Sequence, residues 1–166
     1  MKDIVEGTAW VFGDSVDTDS MYPGYAMKLP IEDAAKHVFY DLRPDWVDRV
    51  REGDVLIAGR NFGIGSSRPV AQLLLHIGIR VLVAEEFNSL FLRNAINFGL
   101  PALTIPGIAE LVSDGDAVRV DVRAAAVEVT GSGRLASGSP LPAFVLDIVE
   151  QGGLFNKLVA EGYIDS

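Results

Sequence analysis

No cysteine occurs among the 166 residues. That excludes a disulfide, and it excludes thiolate ligation of zinc or an iron–sulfur cluster by this chain. Any such metal must be held by another chain. Positive charge is also scarce: 14 Lys and Arg stand against 23 Asp and Glu, for a net charge of −9. A protein that neutralises phosphates needs the opposite balance, so general nucleic-acid binding is not expected. No apolar run approaches the ~18 residues of a membrane helix. Met1–Gly7 is short and charged, unlike a signal peptide. With 49% hydrophobic and 22% charged residues, the chain suits one domain with a sizeable core. The expectation is a soluble, cytoplasmic domain without a membrane or nucleic-acid partner.

What is present reads as alternating strands and helices. "TAWVFG" (Thr8–Gly13) predicts a first strand, followed by a loop rich in Asp, Ser, Gly and Pro from Gly13 to Tyr25. "PIEDAAKHVFYDL" predicts a helix from Pro30, with Glu32 and Asp33 in its first turn. A short helix is expected over Pro44–Gly53, then a buried strand, Asp54–Gly59. Pro69–Ile79 reads as a helix, Ile79–Glu85 as a strand, Phe87–Leu100 as a helix and Pro101–Ile105 as a strand. This order favours a parallel α/β core. Beyond it, "DAVRVDVRAAAVEVTGSGRLAS" alternates like an antiparallel layer. An amphipathic helix with a Gly-Gly break closes the chain.

The chemistry is concentrated in "GRNFGIGSSRP", Gly59–Pro69, with three glycines, two adjacent serines and an arginine before an apolar run. Three mechanisms compete. A dinucleotide loop would need G-x-G-x-x-G, but Arg68 stands at the third glycine's place. A serine hydrolase would need G-x-S-x-G and a placed histidine. The only histidines, His37 and His76, fall in predicted helices with no evident relation to Ser66. The third is an anion site at a helix N-terminus. Pro69 suits the first helical position and holds Arg68 extended, glycines let the backbone approach a ligand, and Arg68 supplies charge. A plainer alternative stays open: Ser66 or Ser67 caps the helix, and Arg68 pairs with a surface acid.

Four ordered blocks, "GDSVDTD", "GRNFGIGSSR", "NAINFGLPAL" and "GGLFNKL", resemble the small subunits of 3-isopropylmalate dehydratase and homoaconitase. The same unit forms the swivelling domain of aconitase. The resemblance runs from about Gly7 to Gly162 and implies an α/β fold, a three-layer β/β/α swivelling domain spanning residues 1–166. It implies a hydro-lyase half-enzyme acting on a small carboxylic-acid substrate. No cofactor is bound by this chain, and a [4Fe–4S] cluster is expected on a partner large subunit. By the family motif Ser66 is the catalytic serine and Arg68 grips a substrate carboxylate, with Gly65 and Ser67 assisting. A serine becomes a base only where its alkoxide is stabilised.

The sequence also departs from the family. Pro69 and Val70 stand where Glu and then His or Gln are usual. The early segment reads "YPGYAMKLP": Tyr25 matches, while Ala26 and Met27 replace Leu and Arg, and Lys28 follows. Tyr25, Met27 and Lys28 are therefore candidates for contact with the variable side of the substrate. A lysine there meets a carboxylate as a point charge, not as a fork. The substrate need not be isopropylmalate: homoaconitate, an alkylmalate, maleate or citraconate stays open, as does a non-catalytic anion-binding role. Asp17 and Asp19 are expected as a partner for a site arginine, as interface residues, or as turn formers. Asn61 and Arg60 are expected to hold the loop backbone, and Asn94 and Asn97 to be structural.

Overall fold

The computed structural model describes residues 2–166. Seven strands form one sheet: β1 (Ile4–Val11), β2 (Asp54–Ala58), β3 (Ile79–Ala84), β4 (Ala102–Thr104), β5 (Ala117–Asp121), β6 (Ala126–Val129) and β7 (Arg134–Ser137). Their order is β4-β3-β2-β1-β5-β6-β7. The β1–β2, β2–β3 and β3–β4 pairs are parallel, and the β1–β5, β5–β6 and β6–β7 pairs are antiparallel. β1 serves both halves: Ile4–Thr8 pair with β5, and Ala9–Val11 pair with β2. That dual pairing starts the strand at Ile4, earlier than the predicted Thr8, because Gly7 and Thr8 have a ladder partner in β5.

Alternation of side chains divides the core. Val55 and Ile57 of β2 and Val81 and Val83 of β3 pack with Val118, Val120, Val127 and Val129 of the antiparallel half. Leu56, Ala58, Leu82 and Ala84 point the other way, into a second core under the helices. Successive strand residues face opposite sides, so one run of apolar residues serves both cores. The layers are therefore antiparallel strands, parallel strands and helices.

The helices are α1 (Thr18–Met21), α2 (Ile31–Ala34), α3 (Trp46–Arg49), α4 (Val70–Ile77), α5 (Ser89–Asn97), α6 (Ile108–Leu111), α7 (Ala143–Glu150) and α8 (Leu154–Ala160). Two 3-10 segments cover Gly24–Lys28 and Ala35–His37. The predicted long helix from Pro30 is thus two short turns. Val38 is extended and Phe39 takes a positive φ of 56°. The fully buried Phe39 ring stacks on Phe12 at 4.3 Å and meets Trp46 edge-on, so tertiary packing overrides local propensity here. The Pro44–Gly53 prediction also contracts, to α3, because Val50 is already extended. The break at Gly152 and Gly153 separates α7 from α8 as expected. No helix among the described residues is long and apolar enough to cross a membrane.

Two polar anchors hold the second half of β1. Asp54, buried at the start of β2, accepts from the Thr8 amide at 3.0 Å, the Trp10 indole at 2.8 Å and the Arg51 amide at 2.8 Å. At the far end, Asp114 accepts from the Val11 amide at 2.7 Å and from both Arg43 terminal nitrogens at 3.1 and 2.9 Å. The Arg43 guanidinium lies over the Phe12 ring, 5.1 Å from its centroid. Partial burial pushes the Asp114 carboxyl up. The Arg43 and Val11 hydrogen bonds and the charges of Arg43 and Arg49 outweigh that and hold it below the ordinary carboxylate value.

A lowered folded-state value means that Asp114 contributes stability above its unfolded value of about 4 and loses it as pH falls through the folded value. Asp114→Asn should therefore be less stable than the parent at neutral pH. The gap should begin to narrow near pH about 4 and close on further acidification. Urea midpoints measured across that range check this; a gap independent of pH would show that ionisation of Asp114 is not what stabilises the corner.

Candidate functional site

The glycine–serine segment follows β2 and lies at the carboxyl ends of the parallel strands, where open α/β sheets characteristically bind ligands. It is held by the loop that follows β1. Ser15 donates its amide to the Arg60 carbonyl at 2.8 Å, Gly63 to Val16 at 2.8 Å, and Thr18 to Ile64 at 2.8 Å. Asp14 closes the start of this ladder by accepting from the Arg60 amide at 2.7 Å. Thr18, only 2% exposed, completes it: its hydroxyl donates to the Ser66 carbonyl at 2.6 Å.

Three backbone positions allow the tight course. Asn61 has φ 59°, in the left-handed region that asparagine tolerates better than most residues. Gly63 has φ 89°, and a Cβ there would sit 2.2 Å from the Phe91 ring of α5. Gly65 has φ 101°, and its Cβ would crowd the Thr18 hydroxyl at 3.2 Å. Larger residues at 63 or 65 would force apart the two loops and α5.

The start of α4 differs from the expectation. Pro69 is not the first helical residue but the residue before it, at φ −77° and ψ 56°. The Val70 amide donates to the Arg68 carbonyl at 2.8 Å, an inverse γ-turn centred on Pro69. Proline removes the donor at that position, and its ring favours the turn's φ. No side chain caps α4, so neither Ser66 nor Ser67 is the simple helix cap that the sequence left open.

Arg68 has the acidic partner that the sequence also left open. Its Nη2 lies 2.7 Å from Asp19 Oδ1, and its Nη1 donates to the Tyr22 carbonyl at 2.6 Å. The arginine side chain is mostly buried, while the Asp19 carboxylate is largely exposed. Asp17 acts elsewhere, capping α1 by accepting from the Ser20 amide at 2.7 Å. The two acids of "DTD" therefore divide into a turn former and an arginine partner.

Ser66, Ser67, Gly65 and Arg68 share a shallow depression with Thr18, Gly63, Leu90, Phe91 and Asn94. Both serines are exposed, and the Ser66 hydroxyl has no protein partner among the described residues. Thr18 is the residue sequence reasoning missed, and Asn94, expected to be structural, lines the depression as well. Asn94 donates to the Ser67 hydroxyl at 3.2 Å across 27 positions, and no local pattern announces that contact. The Gly24–Lys28 segment lies beside Arg68, with a Cβ on Gly24 reaching 4.0 Å from Nη1. Tyr25 is 57% and Met27 44% exposed, and Lys28 is exposed as well. The Tyr25 hydroxyl shares a hydrogen bond with His37 Nδ1 at 3.2 Å. His76 is exposed on α4, and neither histidine hydrogen-bonds to Ser66. A larger cavity of about 870 Å³ lies at the opposite ends of the strands, near Ile4, Gly53 and Pro101. There Arg80 donates to Glu52 at 2.6 and 2.7 Å. Among the described residues no three His, Asp or Glu side chains converge as a metal site.

A family model described as the aconitase C-terminal domain matches residues 16–107, which include the glycine–serine loop, α1 and α5. The chain belongs to this family. It is similar to 3-isopropylmalate dehydratase small subunit 1 of Methanopyrus kandleri, at 43% identity over 164 residues, 98% of this chain and 96% of that one. The methanogen homoaconitase small subunit of Methanothermobacter thermautotrophicus is 41% identical, covering 94% of this chain and 91% of its own length. A crystal structure of 3-isopropylmalate dehydratase from Methanocaldococcus jannaschii matches with a TM-score of 0.90 and 32% identity, over 96% of each chain. Within the aconitase family, then, this is a chain of the hydro-lyase small-subunit type.

The buried threonine clamp can be tested directly. Thr18→Val keeps the shape and leaves the Ser66 carbonyl without its donor. The expected cost is about 1–2 kcal/mol of unfolding free energy. Thr18→Ser should recover most of it. Equal urea midpoints for parent and Thr18→Val would show that the clamp does not hold the loop.

Proposed function

We propose that the chain is the small subunit of a two-subunit [4Fe–4S] hydro-lyase that dehydrates and rehydrates a 2-hydroxy di- or tricarboxylic acid in the cytoplasm. The observation that carries this is the unpartnered Ser66 hydroxyl beside a mostly buried Arg68, in a shallow depression of a chain of this family. A depression this open cannot enclose a small acid by itself. A large subunit seated over it would complete the cavity and exclude water.

On this reading Ser66 Oγ takes the proton from the substrate carbon and returns it during hydration. Serine is a weak base, so its alkoxide needs positive surroundings. The N-terminal end of α4 and the Arg68 guanidinium supply them. Arg68 can hold Asp19 and a substrate carboxylate together, because one contact on each terminal nitrogen leaves further N–H donors free. Ser67 and the Gly65 backbone assist in binding that carboxylate. Asp19 and Tyr22 fix the guanidinium, while Asp17 and Asn61 shape the two loops. The cluster on the large subunit would act as a Lewis acid for the departing hydroxyl.

Substrate choice falls to Gly24–Lys28. Met27 offers an apolar contact where a forked arginine is usual, and Lys28 beside it a single positive charge, so the substrate need not be isopropylmalate. Relatives named for isopropylmalate and for homoaconitase agree with that breadth.

The small subunit alone should show no turnover, and addition of its cluster-loaded large subunit should restore it. Ser66→Ala in the assembled pair should lower kcat by roughly 10³-fold with assembly intact. Undiminished turnover would overturn the catalytic assignment and favour a purely anion-binding role. The acids to screen are 3-isopropylmalate, homoaconitate, citraconate and maleate. In the same screen, Met27→Arg with Lys28→Leu should change the ratio of kcat/KM values between two of these acids by about tenfold or more. An unchanged ratio would remove Gly24–Lys28 from substrate selection.

A further inference from the structure

Asn94 is carried into the depression by α5. The helix is fixed at its start by the Asn88 side chain, which accepts from the Leu90 and Phe91 amides at 3.0 and 3.4 Å. Phe91 then packs directly over Gly63, so the face of α5 that bears Phe91 is held against the glycine–serine loop. Asn94 stands three residues on, on that same face. Its Nδ2 donates to Ser67 Oγ at 3.2 Å.

A hydroxyl has one proton to give and two lone pairs with which to accept. When Ser67 Oγ accepts from the Asn94 amide, its own proton remains to be donated, and it finds no acceptor in the protein among the described residues. Ser66 is held differently. Its carbonyl is fixed by Thr18, and its hydroxyl is left free to change protonation. We propose that Asn94 is a positioning residue that keeps Ser67 as an O–H donor toward a substrate carboxylate, so that the adjacent serines take separate roles. Ser67 binds the anion beside Arg68, and Ser66 moves the proton. The inference rests on the hydro-lyase reading of this site and adds to it a residue from another element.

The orientation of the Asn94 amide decides the outcome. An amide turned the other way would present its oxygen to Ser67, take that hydroxyl's proton and leave a lone pair facing the substrate, which would repel a carboxylate. Asn94→Asp enforces that arrangement with almost no change of shape, because an ionised carboxylate only accepts.

The experiment uses the reconstituted two-subunit enzyme with the best-turned-over acid among 3-isopropylmalate, homoaconitate, citraconate and maleate. Ser67→Ala and Asn94→Ala should each raise KM about tenfold while kcat stays within about twofold, as loss of a binding hydrogen bond predicts. The double variant should be no worse than Ser67→Ala alone, because Asn94 acts only through Ser67. Asn94→Asp should raise KM more than Asn94→Ala does. Additive losses, a parental KM in Asn94→Asp, or a fall in kcat without a change in KM would each overturn the proposal. Asn94→Asp is isosteric, so it decides the matter if Asn94→Ala fails to assemble. Ser66→Ala separates the two levels. If it retains full turnover, the assignment of proton transfer to Ser66 fails, and the division of roles between the two serines with it. If it is inactive while both Asn94 variants keep the parental KM, only the Asn94 assignment fails.

Discussion

The hydrogen bond from the buried Thr18 hydroxyl to the Ser66 carbonyl is the contact on which the site's geometry depends. It is the last rung of a ladder between the loops after β1 and β2, and it fixes the backbone immediately before Ser67 and Arg68. A buried hydroxyl without a partner costs free energy, so this rung is costly to leave open. The two strands feeding the loops are parallel neighbours, which brings the loops together at one end of the sheet. Sheet pairing, loop pairing and serine placement thus form one continuous structure. Gly63 and Gly65 are needed because α5 and Thr18 approach closer than a side chain would permit.

Arg68 is the second constraint. A mostly buried guanidinium needs hydrogen-bond partners, and Asp19 with the Tyr22 carbonyl provides them. A chain with net charge −9 thereby keeps a guanidinium beside the serines. The compensating carboxylate is exposed at the edge, while the guanidinium stays beside the serines. Because Asp19 projects into solvent, its attraction for Arg68 is screened and weak. A substrate carboxylate that also meets Ser67 and the second subunit would compete well with it.

Strand positions were legible in the sequence because burial on both faces leaves unbroken runs such as "DVLIAG" and "IRVLVAE". The serine–arginine motif was legible because its glycines and Pro69 stand together. Other features were not, for identifiable reasons. The segment after Pro30 has helical composition, but the Phe39 ring is claimed by Phe12 and Trp46, and the helix stops. Pro69 fits a helix start in general, yet here it centres a γ-turn one residue earlier, a difference set by a hydrogen bond and not by composition. Thr18 stands between two acids, and nothing in its type or spacing marks it as a buried clamp. Asn94 meets Ser67 only through the packing of Phe91 on Gly63, which no local sequence pattern encodes.

The shallow depression beside the serines has a physical consequence for any chemistry there. In contact with bulk water, a serine alkoxide would be overwhelmed by its own proton affinity, and an arginine–carboxylate contact would be screened. Each interaction assigned to this chain gains strength only when the depression is closed. The proposed division of labour follows from that requirement. On it, this chain would pre-position a serine, an arginine and an amide-held hydroxyl on rigid elements, and the second subunit would bring the metal and exclude the water. Neither half would then have a complete site before assembly, which would confine proton abstraction to the closed complex, where a Lewis acid would be at hand for the departing hydroxyl.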